Sequence, residues 1–199
     1  MPRPFSEEEK HQIRLKLLKA ASDSMAQMGI KKTSIDELVR TVGISKGGFY
    51  IFYPSKEALI FDVIQTTQET IREDLKQVLL EKWDTPRELF VRFLEFLFDS
   101  FDRYPVMKAI AQPEEMSILM RSVPLEKQQS EHQDDDDFFL AIFDEWKTRG
   151  LVFHIDSKVL AGVPSLVMAL VLQKEMIGKD RFEDLIKLFI NGLAKEFEG

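Results

Sequence analysis

The segment Thr41-Val42-Gly43-Ile44-Ser45-Lys46-Gly47-Gly48-Phe49-Tyr50, followed by Phe52-Tyr53-Pro54-Ser55-Lys56-Glu57, constrains this chain more than any other, because it reads as two short helices around a glycine corner. Gly43 supplies the positive-φ residue at the corner, Ile44 packs into the angle, and Ser45 caps the helix that follows. Lys46 and Tyr50 are four residues apart and share one face of that helix. A cation and a hydroxyl so placed can hold phosphate oxygens and fix the register of a helix on a duplex.

The surrounding sequence reads as helix almost throughout. Ser6 caps a first long helix with Glu7, Glu8 and Glu9 in its opening turn, apolar residues recur at Ile13, Leu17, Leu18, Ala21, Met25 and Met28, and Gly29 ends the run. Ser34 caps a second helix over Ile35 to Val42, and Lys46 to Phe52 makes a short third. Pro54-Ser55-Lys56-Glu57 opens a fourth that persists to about Leu80, long enough to link a head to a body. Thr85-Pro86 starts a fifth, which Tyr104-Pro105 stops. From Val106 to Gln133, Pro113 and Pro124 break short helices, and Lys127 to Gln133 reads as a loop. Asp134 to Asp137 opens a helix that Gly150 closes, Leu151 to Ile155 reads as an extended link, and one helix from Ser157 to Ile177 precedes a last one ending near Phe197. The expected architecture is all-α: a three-helix helix-turn-helix domain over 1–54 and a larger helical domain over 55–199.

Charge is divided along the chain. The net charge is -7, yet the first sixty residues hold ten basic and seven acidic side chains, a net of +3, which leaves -10 on the remainder. An acidic body with a mildly basic head suits a protein that touches DNA with one end. There is no cysteine, which excludes disulfides, thiolate catalysis and Cys-based metal sites. His11, His132 and His154 show no ligand spacing, and consecutive acids at Asp134 to Asp137 do not converge on one ion, so no metal, cofactor or catalytic site is expected. The opening Met-Pro-Arg-Pro-Phe lacks the apolar core of a signal peptide, and the longest apolar run, Leu160 to Leu172, falls short of the about 20 residues that a bilayer span needs. A cytoplasmic protein without membrane contact is the expectation.

The body carries material for two further tasks. The Ser157 to Ile177 helix is apolar nearly all round in its middle and the last helix has a wide apolar face, so a second copy of the chain is the expected cover. Leu166, Leu170 and Gln173 on one helix and Phe182, Leu185 and Phe189 on the other are the candidate dimerisation residues, two helices from each subunit forming a bundle. Phenylalanine numbers 16, against 3 tyrosines and 2 tryptophans. Phe90, Phe93, Phe96 and Phe101, with Met107, Met116, Met120, Phe139, Phe143, Trp146 and Met168, are the candidate lining of a cavity for an apolar or amphipathic molecule. Gln112, Glu115, Arg121 and Gln173 are polar groups that could orient it. An all-helical carrier or enzyme using the same cavity is the alternative, and it lacks any recognisable nucleophile and base pair.

Thr33-Ser34, Gly43-Ile44-Ser45, Phe49-Tyr50-Ile51-Phe52-Tyr53 and Ser55-Lys56-Glu57-Ala58-Leu59 together resemble the head of the TetR family of bacterial transcriptional regulators, across residues 10 to 60. The resemblance implies a homodimeric, ligand-responsive repressor of double-stranded operator DNA. It implies phosphate contacts by Thr33, Tyr50 and Lys56, and base or backbone contacts from Lys46, Gly47 and Gly48, in a DNA-binding set completed by Ser34, Ser45 and Phe49. Three positions depart from the commonest pattern. Gly48 replaces a Thr or Ala, Phe52 a Tyr or His, and Tyr53 an inward-packing Phe, whose new hydroxyl then needs a partner or solvent.

Overall fold

The computed structural model describes residues 5–122, 125–150 and 155–197, with the side chains at 113, 116, 118, 122 and 125–133 left aside. The described residues form helices joined by short turns, with no strand among them. They divide into two compact units, Met1–Thr70 with Tyr104–Val123, and Ile71–Arg103 with Pro124–Gly199.

In the first unit, α1 (Glu7–Lys32) begins in a reciprocal cap. The Glu9 amide donates to Ser6 Oγ at 3.2 Å and the Ser6 amide to Glu9 Oε2 at 2.7 Å, satisfying two of the donors that a helix start leaves open. Leu17, Ala20, Ala21 and Met25 form its buried stripe, while Met28 lies exposed. Gly29 breaks the helix with φ 81° and ψ 172°, and one further turn follows it. α2 (Ile35–Val42) buries Leu38 and Val39 and ends at Gly43, whose left-handed φ of 80° lets its own amide and that of Ile44 reach the Val39 carbonyl. α3 (Lys46–Phe52) is capped by Ser45, and α4 (Lys56–Leu80) starts in this unit and ends in the second. α6 (Pro105–Ile110) and α7 (Pro113–Ser122) pack against α1. The first unit therefore includes a stretch fifty residues beyond the head.

The second unit is built on α5 (Pro86–Arg103), which starts behind Thr85, its Oγ accepting from the Glu88 amide at 3.2 Å. α5 packs on α10 (Val163–Leu172), on α12 (Lys179–Ala194) and on the closing 3-10 turn Lys195–Phe197. α8 (Leu125–Thr148) packs on α9 (Ser157–Ala161), where buried Ser157 donates to Asp144 Oδ1 at 2.9 Å.

Two sequence expectations are corrected here. The backbone over 127–133 is helical, part of α8, because Glu, Lys and Gln are strong helix formers and no breaker interrupts them. Asp134 to Asp137 therefore lie inside a helix and not at its start. Asp135 pairs with Arg72 of α4, and the Arg72 and Lys76 cations lie over the Phe138 ring. The expected single helix over 157–177 is three pieces, α9, α10 and α11 (Lys174–Ile177), divided at Gly162 and Gln173. Pro164, which has no amide to donate, sits in the first turn of α10. Of the expected extended link at 151–155, residues 151–154 lie outside the described residues and Ile155 sits in a bend.

Candidate nucleic-acid interface

α3 is short enough that each of its residues has one assignment. Lys46 and Gly47 are exposed at its start, Tyr50 and Ile51 remain 51% and 60% exposed, and Gly48 and Phe49 are buried. The exposed four fall at i, i+1, i+4 and i+5, a single stripe along the helix. Phe49 turns inward against Tyr53, with ring centroids 6.1 Å apart. Gly48 also turns inward: its amide donates to the capping Ser45 Oγ at 3.0 Å, and a Cβ there would lie 3.3 Å from that oxygen. Glycine at 48 is thus explained by close approach to the cap, and a side chain at this position would face the turn and not a duplex.

Beside the stripe lies an open cleft of about 430 Å³ lined by Thr33, Ser34, Asp36, Lys46, Tyr50, Pro54, Ser55 and Lys56, among others. Two helix starts border it. Ser34 Oγ accepts from the Glu37 amide at 3.4 Å at the head of α2, and Ser55 Oγ accepts from the Ala58 amide at 3.1 Å at the head of α4. Helix starts carry partial positive charge, which with Lys46 and Lys56 offers a place to a backbone phosphate, while Asp36 and Glu57 set two carboxylates in the same cleft.

Within it the expected contacts divide. Tyr50 is exposed and free to reach outward. Thr33 is 2% exposed, its hydroxyl donates to the Gly29 carbonyl at 2.9 Å, and its Oγ1 lies 3.1 Å from Ser24 Oγ. As placed, both the hydroxyl and the amide of Thr33 serve the α1–α2 turn, and neither is offered to a ligand. Lys56 is half-buried and donates to the Ile30 carbonyl at 3.1 Å. Lys46 forms an ion pair with Asp36, Nζ to Oδ1 at 2.9 Å, and this hydrogen bond and charge raise the lysine above its ordinary pKa. Lys46 is therefore charged and at the surface, but it shares its charge with a carboxylate on the same face.

Sequence reasoning missed the places of Ile51 and Arg14 and left open whether the Tyr53 hydroxyl finds a partner. Ile51 completes the exposed stripe, and its spacing from Lys46, Gly47 and Tyr50 was the available signal. Tyr53 is buried, and its hydroxyl donates to Asp62 Oδ2 of α4 at 2.5 Å. Arg14 of α1 donates to the same carboxylate oxygen at 2.8 Å and lies over the Tyr53 ring at 5.6 Å. This three-part contact ties α1, the end of α3 and α4 together. Phe52 rests against Phe5, ring centroids 6.0 Å apart.

The candidate ligand set falls in both units. Phe90, Phe93, Phe96, Phe101, Phe139, Phe143 and Trp146 are buried in the second. Phe93 meets Phe139, Phe143 and Trp146 edge to face at 6.0, 5.5 and 5.8 Å, and Phe90 stacks on Phe197 at 3.9 Å. These rings fill one another's space as a packed core. Met168 is half-buried in the same unit, whereas Met107, half-buried, Met116, whose side chain lies outside the described ones, and Met120, 40% exposed, belong to the first.

Of the candidate dimerisation residues, Leu166 and Leu185 are 47% and 48% exposed, Gln173 is exposed, and Leu170 and Phe189 are half-buried. Phe182 is buried in its own chain beneath Lys174. Val159, Met176 and Leu188 add exposed apolar surface on neighbouring elements. Among the described residues no helix is long and apolar enough to cross a membrane.

A family model described as bacterial regulatory proteins, tetR family, matches residues 17–63, the span from α1 into α4 that builds this interface. The chain is 31% identical over 84 residues to the uncharacterized HTH-type transcriptional regulator YuxN of Bacillus subtilis, covering 42% of this chain and 28% of that protein. The curated relatives that it matches are spanned over only 23% to 35% of their length. Solved structures extend the likeness across the chain. A TetR-family transcriptional regulator from Pectobacterium atrosepticum superposes with a TM-score of 0.72 at 16% identity, covering 95% of this chain and 94% of that one. The regulator FadR of Bacillus subtilis in complex with stearoyl-CoA does so with 0.65 at 17% identity, covering 93% and 98%. At such identities the likeness is one of fold.

Proposed function

We propose that the chain is a member of the TetR family of bacterial regulatory proteins, a reading that the family model over residues 17–63 supports, and that it is a homodimeric repressor that binds operator DNA through α3 and releases it when a small apolar or amphipathic molecule binds the helical body. The observation that carries the reading is the exposed stripe of Lys46, Gly47, Tyr50 and Ile51, projecting from the Gly43 corner beside the starts of α2 and α4. The stripe offers a cation, an open backbone, a hydroxyl and an apolar group to a major groove. Such a mixture suits phosphate positioning by Lys46 and Tyr50 and apolar contact with a thymine methyl by Ile51.

The functional division at 1–54 and 55–199 and the cytoplasmic location follow from this reading, and it assigns no catalytic role. Dimerisation supplies two such stripes, which must lie about 34 Å apart to enter successive major grooves. The exposed Leu166, Leu185 and Leu188 support a second copy as the cover. The packed Phe93, Phe143 and Trp146 cluster supports an apolar effector only if the rings part to admit it, so the ligand would bind a state different from the free one. A solved neighbour of the same fold binds stearoyl-CoA, which agrees with an apolar ligand class.

The test is fluorescence anisotropy with duplexes that the dimer selects from a random library. Recovery of a two-fold symmetric site, bound more weakly as salt rises, is expected. Failure of the intact dimer to retain any duplex at low salt overturns the reading.

A further inference from the structure

The one turn that separates α1 from α2 is held from outside by α7. Gly29 opens the turn at φ 81° and ψ 172°, the Lys31 amide donates to Glu115 Oε2 at 2.9 Å, and a Cβ at Gly29 would stand 2.8 Å from Glu115 Oε1. A carboxylate therefore occupies the space that the missing side chain of Gly29 leaves open. Positive φ disfavours every other side chain at 29, and a Cβ there would push the Glu115 carboxylate from its place. From the other direction, Lys56 at the start of α4 donates to the Ile30 carbonyl at 3.1 Å. Thr33 closes the turn onto the Gly29 carbonyl through both its amide, at 3.3 Å, and its hydroxyl, at 2.9 Å. The next residue is Ser34, the cap of α2 and a wall of the anion cleft.

We propose that Glu115 is a positioning residue for DNA binding: by accepting the Lys31 amide it sets the α1–α2 turn, and with it the Thr33–Ser34 edge of the cleft. The inference rests on the DNA-binding reading above. The sequence made Glu115 a group that could orient a ligand, whereas here its carboxylate is committed to the backbone of the DNA-reading unit. α7 lies in the stretch expected to belong to the sensor, yet it packs on α1 within the same compact unit. Any event that draws α7 from α1 removes the acceptor from Lys31 and frees the turn that carries the head of α2.

Charge and position make opposite predictions, which isolates the effect. Removing an acidic side chain near DNA strengthens binding by charge alone, whereas removing the acceptor weakens it by releasing the cleft edge. Glu115→Gln removes the charge and keeps an oxygen acceptor. Glu115→Ala removes both. The full-length chain and both variants are compared by amide hydrogen exchange at Lys31 and by anisotropy with a duplex selected by the unaltered protein, thermal unfolding being recorded for each. In Glu115→Ala, Lys31 exchange at least tenfold faster and DNA affinity about tenfold weaker are expected, the lower end for the loss of one hydrogen bond to a charged acceptor because the contact is exposed. Glu115→Gln is expected to keep Lys31 protection and DNA affinity within about threefold, since it retains the acceptor.

Faster exchange with unchanged or tighter DNA binding overturns the positioning role, as does unchanged exchange. Equal weakening by both variants also overturns it, because the acceptor would then not be what matters. If the unaltered protein selects no duplex, the DNA-binding reading fails and the positioning role fails with it. The exchange difference at Lys31 then still reports whether the contact exists.

Discussion

Tyr53→Phe removes one oxygen from the head without altering its packing, and its consequence can be worked from the geometry. The Tyr53 hydroxyl donates to Asp62 Oδ2 at 2.5 Å, and Arg14 reaches the same oxygen at 2.8 Å. A hydrogen bond to a charged acceptor contributes about 1.5–3 kcal/mol net. Asp62 keeps Arg14 in the variant and is itself partly exposed, so the lower end, about 1.5 kcal/mol, is the expected loss. For a chain of this size each kcal/mol moves Tm by about 2–4 °C, which gives a fall of about 3–6 °C by calorimetry at neutral pH.

The alkaline limb supplies an independent sign. Burial, and then the hydrogen bond to and charge of Asp62, hold the Tyr53 hydroxyl above its ordinary pKa of 10.0. The folded chain keeps this proton where the unfolded chain loses it, so the contribution is complete below pH 10 and declines as pH climbs above 10, by about 1.4 kcal/mol per pH unit. Tyr53→Phe should therefore unfold with a shallower alkaline limb than the unaltered protein. A Tm within 1 °C of the unaltered protein, or an unchanged limb, would refute the assignment of the hydroxyl to Asp62.

Asp36→Asn releases Lys46 from its ion pair, and the slope of log K against log salt for duplex binding should steepen by about 0.9, one further phosphate neutralised; an unchanged slope means that Asp36 does not hold Lys46 back from a phosphate on DNA. Gly47→Ala should raise Tm by about 2–4 °C, because position 47 lies in helical backbone with only Ser45 Oγ, at 3.9 Å, near the new Cβ. Gly48→Ala should gain less, since its Cβ crowds the Ser45 cap, and calorimetry of the pair tests the contrast. Phe143→Ala empties a fully buried site against Phe93 and Trp146. A loss of about 3–5 kcal/mol in denaturant unfolding is expected, and a loss below 1 kcal/mol would indicate that the rings already surround open space.

Much of the head, and the start of α5, was legible because the signals are local. The Ser6, Ser34 and Ser45 caps, the positive φ of Gly29 and Gly43 and the start of α5 after Thr85 each depend on a few consecutive residues. Where periodicity was weak the reading failed. The polar run at 127–133 carries no apolar stripe to betray a helix, and the apolar run at 157–177 hides two breaks behind uniform hydrophobicity. The site was legible in composition and less so in role. Lys46, Gly47 and Tyr50 lie on the exposed stripe, whereas Thr33, Gly48 and Phe49 are turned into the fold by contacts that no spacing reveals.

The sequence by itself determined that the chain is helical, that a glycine-cornered pair of helices stands near its start, and that an exposed cation and hydroxyl share one face there. These follow from capping, helical period and backbone freedom, which act over a handful of residues. Only the tertiary structure decided which neighbours those groups keep. Asp36 claims Lys46, Asp62 gathers Tyr53 and Arg14, and Glu115 crosses eighty-four positions to hold Lys31. Such contacts are chosen when α1, α4, α6 and α7 bury their apolar faces together. That burial brings distant residues within hydrogen-bond reach, and a polar group enclosed by it must find a partner or cost stability.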